Sequence, residues 1–221
     1  MTGCCEPRGY DQVFGGRFAR RIASRYRKRG LDKASRRVVD AVPDGDLSGA
    51  TVLEIGGGVG DIQIELLRRG AASATNLELS RGYEEEAARL LDNAGLGDRV
   101  TRRITDIVSD PGSVEPADVV VLHRVVCCYP DYVGLLGAAA DHARRTLVFS
   151  HPPRNAAARA LVATQNLGLR LMRRQFRVFV HPPKAMAGVL VEHGLRPVAR
   201  GRAGVWRVVS AARPEVVTPS G

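Results

Sequence analysis

The sequence predicts an α/β protein: a doubly wound, mostly parallel seven-stranded sheet with an antiparallel closing strand and helices on both faces. Three observations predict it. Short apolar runs alternate along the chain with segments of helical spacing, the pattern of strands joined by crossover helices. One such run, at residues 51–55, passes directly into the turn Gly56-Gly57-Gly58-Val59-Gly60 and then into a helix. Near the carboxyl end, two strand-like runs at 195–198 and 205–209 stand close together with glycine between them, as an antiparallel pair does.

The 221 residues suit one domain with a sizeable core, and 44% apolar content is ordinary for a globular chain. No apolar run reaches the ~20 residues of a membrane-spanning helix, and the first residues carry no signal-peptide pattern. Cytoplasm is therefore the expected location. The formal net charge is +10, from 33 basic and 23 acidic residues. Such a balance fits nucleic acid, an acidic membrane surface or an anionic substrate. Lysine, however, occurs only at 28, 33 and 184, so nearly all the positive charge is arginine, in a chain also rich in alanine, glycine and valine. That reads as a compositional bias as much as a selected charge.

In chain order, residues 1–14 are a lead segment with Pro7, Gly9, Tyr10 and Phe14. A helix over 17–29 repeats Phe18, Ile22 and Tyr26 at helical spacing with Arg20, Arg21, Arg25, Arg27, Lys28 and Arg29 around them, and Gly30 stops it. A second helix is expected over 31–42 with Asp32 near its start, then a turn at 43–46. We divide the chain into a helical cap (1–44), the α/β domain (45–212) and a tail (213–221). Val52, Leu53 and Ile55 form the first strand. Gly56, Gly58 and Gly60 let the backbone turn and approach a ligand, because no Cβ intervenes. The helix after them, through Ile62, Ile64, Leu66 and Leu67, ends at Gly70.

Residues 74–78 form the second strand, which ends on Glu78. Ser80 caps a helix that starts with three glutamates and stops at Gly95. Residues 100–105 are the third strand, followed by Asp106, and residues 118–123 the fourth, which delivers His123. A helix over 132–143 leads to the fifth strand at 146–149. A helix over 156–173 reads as an insertion above the site, carrying Gln165, Asn166 and Met172. Residues 176–180 alternate like a short strand or lid edge, and a last helix spans 184–193.

A strand, a glycine turn and a helix amino terminus make a nucleotide site. The turn has no Gly-Lys-Ser/Thr, which argues against a triphosphate. Asp61 stands where a dinucleotide fingerprint has its third glycine, so that fit is imperfect. The pattern Glu-x-Gly-x-Gly-x-Gly from Glu54 to Gly60 resembles motif I of the class I S-adenosylmethionine-dependent methyltransferases, a Rossmann-like family. The run from His123 to Asp131 is similar to the post-strand segment of small-molecule members of the magnesium-protoporphyrin type. The resemblance covers residues 45–212. It implies S-adenosyl-L-methionine as cofactor, with Glu54 among the residues that bind it and Gly56, Gly58 and Gly60 admitting the methionine part. It implies Glu78 on the ribose hydroxyls, Asp106 on the adenine amino group and the Ile107 N–H at the ring. An acid such as Glu78 would serve NAD equally.

Methyl transfer to a hydroxyl or a protonated amine requires loss of a proton, and histidine suits that step. His123 is the expected base and Tyr129 a shaper of the acceptor pocket. His151 and His181, each followed by two prolines, read as rigid loop residues. No metal is expected from Cys-x-x-Cys spacing. The vicinal pairs Cys4-Cys5 and Cys127-Cys128 pose a separate question: four thiolates would bind a soft metal or metalloid, or form a redox-sensitive lid. Ordinary buried cysteines are the plainer reading. The expected activity is methylation of a small molecule at oxygen or nitrogen. The alternatives are a nucleic-acid methyltransferase using the arginine-rich helix and a non-catalytic cofactor-binding protein.

Overall fold

The computed structural model describes residues 9–214. Its seven-stranded sheet has the order β3-β2-β1-β4-β5-β7-β6. The strands are β1 (Thr51–Ile55), β2 (Ser73–Glu78), β3 (Val100–Ile104), β4 (Ala117–Leu122), β5 (Ala143–His151), β6 (Arg196–Ala203) and β7 (Trp206–Ala212). The first five run parallel, and β7 lies antiparallel between β5 and β6. The helices are α1 (Tyr10–Val13), α2 (Gly16–Arg29), α3 (Lys33–Val39), α4 (Asp61–Arg68), α5 (Glu84–Ala94), α6 (Tyr132–Asp141), α7 (Ala156–Leu171) and α8 (Pro183–Glu192).

Alternate residues of each central strand serve opposite faces. Val52, Val119, Val121 and Val148 join one core with Ala19, Ala23 and Tyr26 of α2, Val38 of α3, Leu66 of α4 and Leu90 of α5. Leu53, Val120, Leu147 and Phe149 join the other with Leu135 and Leu136 of α6 and Val189 and Leu190 of α8. This two-sided burial is why the central strands read as continuous apolar runs. The amino-terminal helices are thus part of the core. Tyr26 also donates to Glu65 Oε1 of α4 at 2.5 Å.

The structure departs from expectation at four places. Residues 176–180 form no strand. Their backbone is satisfied otherwise: Val178 N–H and C=O both bond the Asn166 side-chain amide, and Phe179 N–H donates to Cys127 O at 2.7 Å. Alternating residues there mimic a ladder that a side chain replaces. Second, α7 supplies no wall to the cavity described below. Leu161, Leu167, Leu171 and Met172 are exposed on it, and Leu169 alone is buried. Third, α3 spans fewer residues than expected, because Asp32 caps it from outside by accepting from Ala34 N and Ser35 N. Fourth, β5 and β6 are longer than their apolar runs. β5 is held by β4 on one side and β7 on the other. β6 is an edge strand, where Pro197 is tolerated.

Arg213, just past β7, fastens the closing end of the sheet. Its guanidinium donates to Ala143 O, His193 O and Ala140 O at 2.7, 3.1 and 2.9 Å. Arg213→Met keeps most of the stem but removes these charged donors. It is expected to cost about 1–3 kcal/mol in urea unfolding, with the sheet signal in circular dichroism retained.

Candidate functional site

A cavity of about 410 Å³ lies past the carboxyl ends of β1, β2, β3 and β4, where doubly wound sheets bind ligands. The glycine turn forms its floor. Gly56, Gly58 and Gly60 take φ of +68°, +56° and +81°, a region that favours glycine. A Cβ on Gly56 would stand 2.4 Å from Val125 Cγ2. Gly57 is more confined: its Cβ would fall 1.9 Å from Asn76 Nδ2 and 2.6 Å from Glu54 Cδ. Gly57 lines the cavity and Gly60 does not. Gly60 instead serves the entry to α4, with its carbonyl accepting from Ile64 N–H. The alternate-glycine pattern thus passed over Gly57, although the Gly-Gly-Gly triplet displayed it.

Glu78 ties the turn to β2. Its Oε1 accepts from Leu79 N and Ser80 N at 2.8 and 3.1 Å, and its Oε2 from Gly58 N at 2.9 Å. A carboxylate has about four acceptor positions, so one remains for the cavity. Burial pushes the Glu78 carboxyl up, while the three N–H donors and Arg102 oppose the shift. Arg102 also donates to Gly58 O at 2.9 Å and pairs with Glu84 at 2.7 Å. Tyr83 lays its ring against Gly58.

Past β3, Asp106 and Ile107 line the wall. Asp106 Oδ1 accepts from Val108 N at 3.0 Å and Oδ2 from the Tyr129 hydroxyl at 2.7 Å. Tyr129, expected to shape an acceptor pocket, thus gives its hydroxyl to the Asp106 carboxylate. His181 in turn bonds Tyr129 O at 3.0 Å, while His151 closes β5 rather than standing in a loop.

His123 sits between two hydroxyls, with Nδ1 2.9 Å from Ser150 Oγ and Nε2 3.3 Å from Ser35 Oγ. Burial pushes its imidazole down to about 3; the Arg124 guanidinium adds to the shift and Asp32 opposes it. The ring is therefore neutral at pH 7 and a much weaker base than free histidine. The untuned base expected from the sequence is not what this environment produces.

Asp32 gathers the charges at this end. Its Oδ2 accepts from Arg25 at 3.0 Å and from Arg124 at 2.8 Å. Burial alone would raise its carboxyl, but the Ser35 N–H and the two arginines outweigh burial and hold it well below the usual range. Arg124, at φ +62°, also places its guanidinium 5.3 Å from the centre of the Trp206 ring. Opposite lie two acids. Asp61 is pushed up to about 6 by burial and by Asp32. Glu54 is 1% exposed, and its Oε2 has no hydrogen-bond partner among the described residues. Burial and Asp61 push its carboxyl well above the usual range.

Tyr10, Phe14, Phe18 and Ile22 roof the cavity from α1 and α2 and the turn between them. The sequence had read Asp32 as a helix start and Asp61 as a misfit. It gave no signal for Arg25, Ser35 and Ser150, which the fold brings in from separate elements. Cys128 lines the cavity, with Cys127 beside it. Cys4 and Cys5 lie outside the described residues.

No family model matches the sequence, and no curated protein matches it significantly. Solved structures do match. Magnesium protoporphyrin IX methyltransferase from Synechocystis PCC 6803, solved with bound SAH, superposes with a TM-score of 0.72 at 21% identity, over 94% of this chain and 98% of that one. An O-methyltransferase family protein from Burkholderia thailandensis gives 0.68 at 20%, over 93% and 63%. Human N-acetylserotonin methyltransferase, in complex with SAM, gives 0.64 at 17%, over 92% and 57%. The chain has the Rossmann-like fold of these methyltransferases.

The shifted groups set opposite pH dependences. Asp61 binds its proton more tightly folded than unfolded, so its contribution is full below pH 3.8 and is lost as pH rises through 6. His123 is depressed, so its contribution is present above pH 6.5 and is lost as pH falls toward 3. Asp61→Asn should accordingly stabilise the ligand-free protein by about 1–2 kcal/mol at pH 7.5, with the gain shrinking toward pH 4. Thermal melts across that range measure it.

Proposed function

We propose that this chain is an S-adenosylmethionine-dependent methyltransferase acting on a small-molecule acceptor at oxygen or nitrogen. The observation that carries this reading is the glycine floor with four acids around it, one of which, Glu54, keeps a buried oxygen without a hydrogen-bond partner among the described residues. A cavity of about 410 Å³ suits a small organic ligand. The neighbouring structures with bound SAH or SAM support the cofactor class.

In this reading Glu78 accepts from the ribose, Asp106 from the adenine amino group, and the Ile107 N–H meets the ring. Gly56, Gly57 and Gly58 leave their backbone open to the methionine part. Glu54 and Asp61 receive its ammonium group, while Arg25 faces its carboxylate. When bound, the cofactor supplies a methyl group on a good leaving group, so alignment provides much of the acceleration. His123, neutral between Ser35 and Ser150, orients the acceptor and is not its resting base. The aromatic roof over the cavity favours a small acceptor over a nucleic-acid strand. Residues 9–44 act as the cap, and free thiols at Cys127 and Cys128 suit a reducing cytoplasm.

Titration calorimetry with S-adenosylhomocysteine is the direct test. Binding is expected for the unaltered chain, and Glu78→Ala should weaken it at least about tenfold. A melt of the same variant shows what the loss of three backbone contacts costs the fold. Unaltered affinity in a folded Glu78→Ala protein would contradict the assignment.

The depressed His123 imidazole also predicts a flat pH profile. Between pH 6 and 8, kcat/KM should show no limb that His123→Gln abolishes. Turnover in that variant should fall far less than the ~10²–10⁴-fold that loss of a general base costs.

A further inference from the structure

Helix α7 carries an apolar face that the protein itself does not cover. Asn155 caps it by accepting from Ala158 N at 2.8 Å, and alanine and leucine carry it through 16 residues without a proline or an acid. Leu169 is its one buried side chain. Ala158, Val162 and Asn166 share the Leu169 side of the helix and are half-buried. The opposite arc, about half the circumference, presents Ala157, Ala160, Leu161, Leu167 and Leu171, with Met172 just past the end. The four large side chains are 68, 57, 78 and 63% exposed at Leu161, Leu167, Leu171 and Met172. Thr164, the polar side chain within this arc, turns its hydroxyl back to Ala160 O at 3.0 Å. No charge interrupts the arc. Arg159 and Arg170 stand exposed along one edge of it, and exposed Arg173 follows. Single exposed apolar residues are ordinary, but a continuous strip of them marks a contact surface.

Charge selects the occupant. From His142 to Val191 the sequence holds nine arginines and lysines and no aspartate or glutamate. A second copy of the chain would bring two such arginine edges together with no acid between them. A nucleic-acid strand would meet the arginines and leave the leucines in water. A bilayer surface with anionic headgroups answers both features: its acyl boundary takes the leucines and its phosphates take the arginines. Arg159 and Arg170 can reach the headgroups from the edge of the apolar arc along their own extended stems. No helix of the described residues is long and apolar enough to cross a membrane, so α7 would lie in the plane of the surface.

We propose that α7 is an in-plane anchor that docks this protein on a bilayer surface rich in anionic phospholipid. The anchor stands next to the roof of the cavity. Arg174, past the end of α7, donates to Gln12 O at 2.8 Å. Phe176 packs edge-on against Tyr10 and Phe14, with ring centres 5.7 and 5.1 Å apart. Tyr10 and Phe14 line the cavity, so the segment that leaves the anchor packs directly on the roof.

The test is flotation of the full chain with vesicles of phosphatidylcholine alone and of an equimolar mixture with phosphatidylglycerol. At ~0.1 M salt the mixed vesicles are expected to bind at least about tenfold more tightly than the neutral ones, and ~0.5 M salt should weaken that binding severalfold. Leu161→Ser/Leu167→Ser/Leu171→Ser keeps every charge and should lose at least about tenfold on the mixed vesicles. Arg159→Gln/Arg170→Gln/Arg173→Gln should lose a similar factor. All six side chains are exposed, so both variants should keep the circular dichroism of the unaltered chain. Should the leucine variant not fold, Leu167→Trp decides: brominated acyl chains in the mixed vesicles should quench its added fluorescence and leave that of Trp206 unchanged. Full binding by a folded leucine variant would mean general adsorption of a chain with net charge +10 and would overturn the proposal. So would absence of quenching, retention on RNA without vesicle binding, or a dimer in light scattering that the leucine variant abolishes. These readouts need neither cofactor nor acceptor, so they stand or fall apart from the assignment of methyl transfer.

Discussion

The structure depends on how little space exists behind Gly57. Asn76 of β2 and Glu54 of β1 fill the place a side chain would take. Any Cβ there would push the turn away from the parallel pair it crosses. The turn therefore rests directly on two neighbouring strands. Gly58 N–H can then reach Glu78, and Gly56 N–H can reach Leu77 O at 2.6 Å. Close packing at one residue fixes where two carboxylates and a row of backbone groups face the cavity. Interiors packed at crystal-like density leave no slack to absorb a displaced atom.

The opposite end is held by charge rather than by contact. Asp32 joins the start of α3, Arg25 of α2 and Arg124 beyond β4 through four hydrogen bonds. Arg124 continues the connection to Trp206 at the start of β7. Helices α2 and α3 and the antiparallel closure thereby meet around Arg124, which lines the cavity. The guanidinium Nε atoms of Arg25 and Arg124 are buried without partners among the described residues, as is Glu54 Oε2. Buried polar atoms in this state cost stability unless something satisfies them, and three of them border one cavity.

Much of the fold was legible because its signals are local. Val52, Leu53 and Ile55 are apolar because both faces of β1 are covered, and Gly95 and Gly194 end helices by taking positive φ. Glu78 and Asp106 were legible because a strand's end is also the edge of the sheet. Gly57, Asp61, Ser35 and Ser150 were not, because their meaning comes from elements that approach from elsewhere in the chain. The run at 176–180 misled because Asn166 satisfies a backbone that alternation assigns to a ladder. His123 was found by position, but its weak basicity arises from burial and from Arg124, and neither is visible in the histidine itself.

The bond from Tyr10 to Cys128 joins residues 118 positions apart. The roof of the cavity is therefore synthesised well before this part of its wall. At the ~5–20 residues per second of translation, the arm waits about 6–24 s after synthesis before its partner exists. Phe14 waits longer still for Phe176, which is made after Cys128. The pocket is thus closed by a segment that left the ribosome before the wall it closes against.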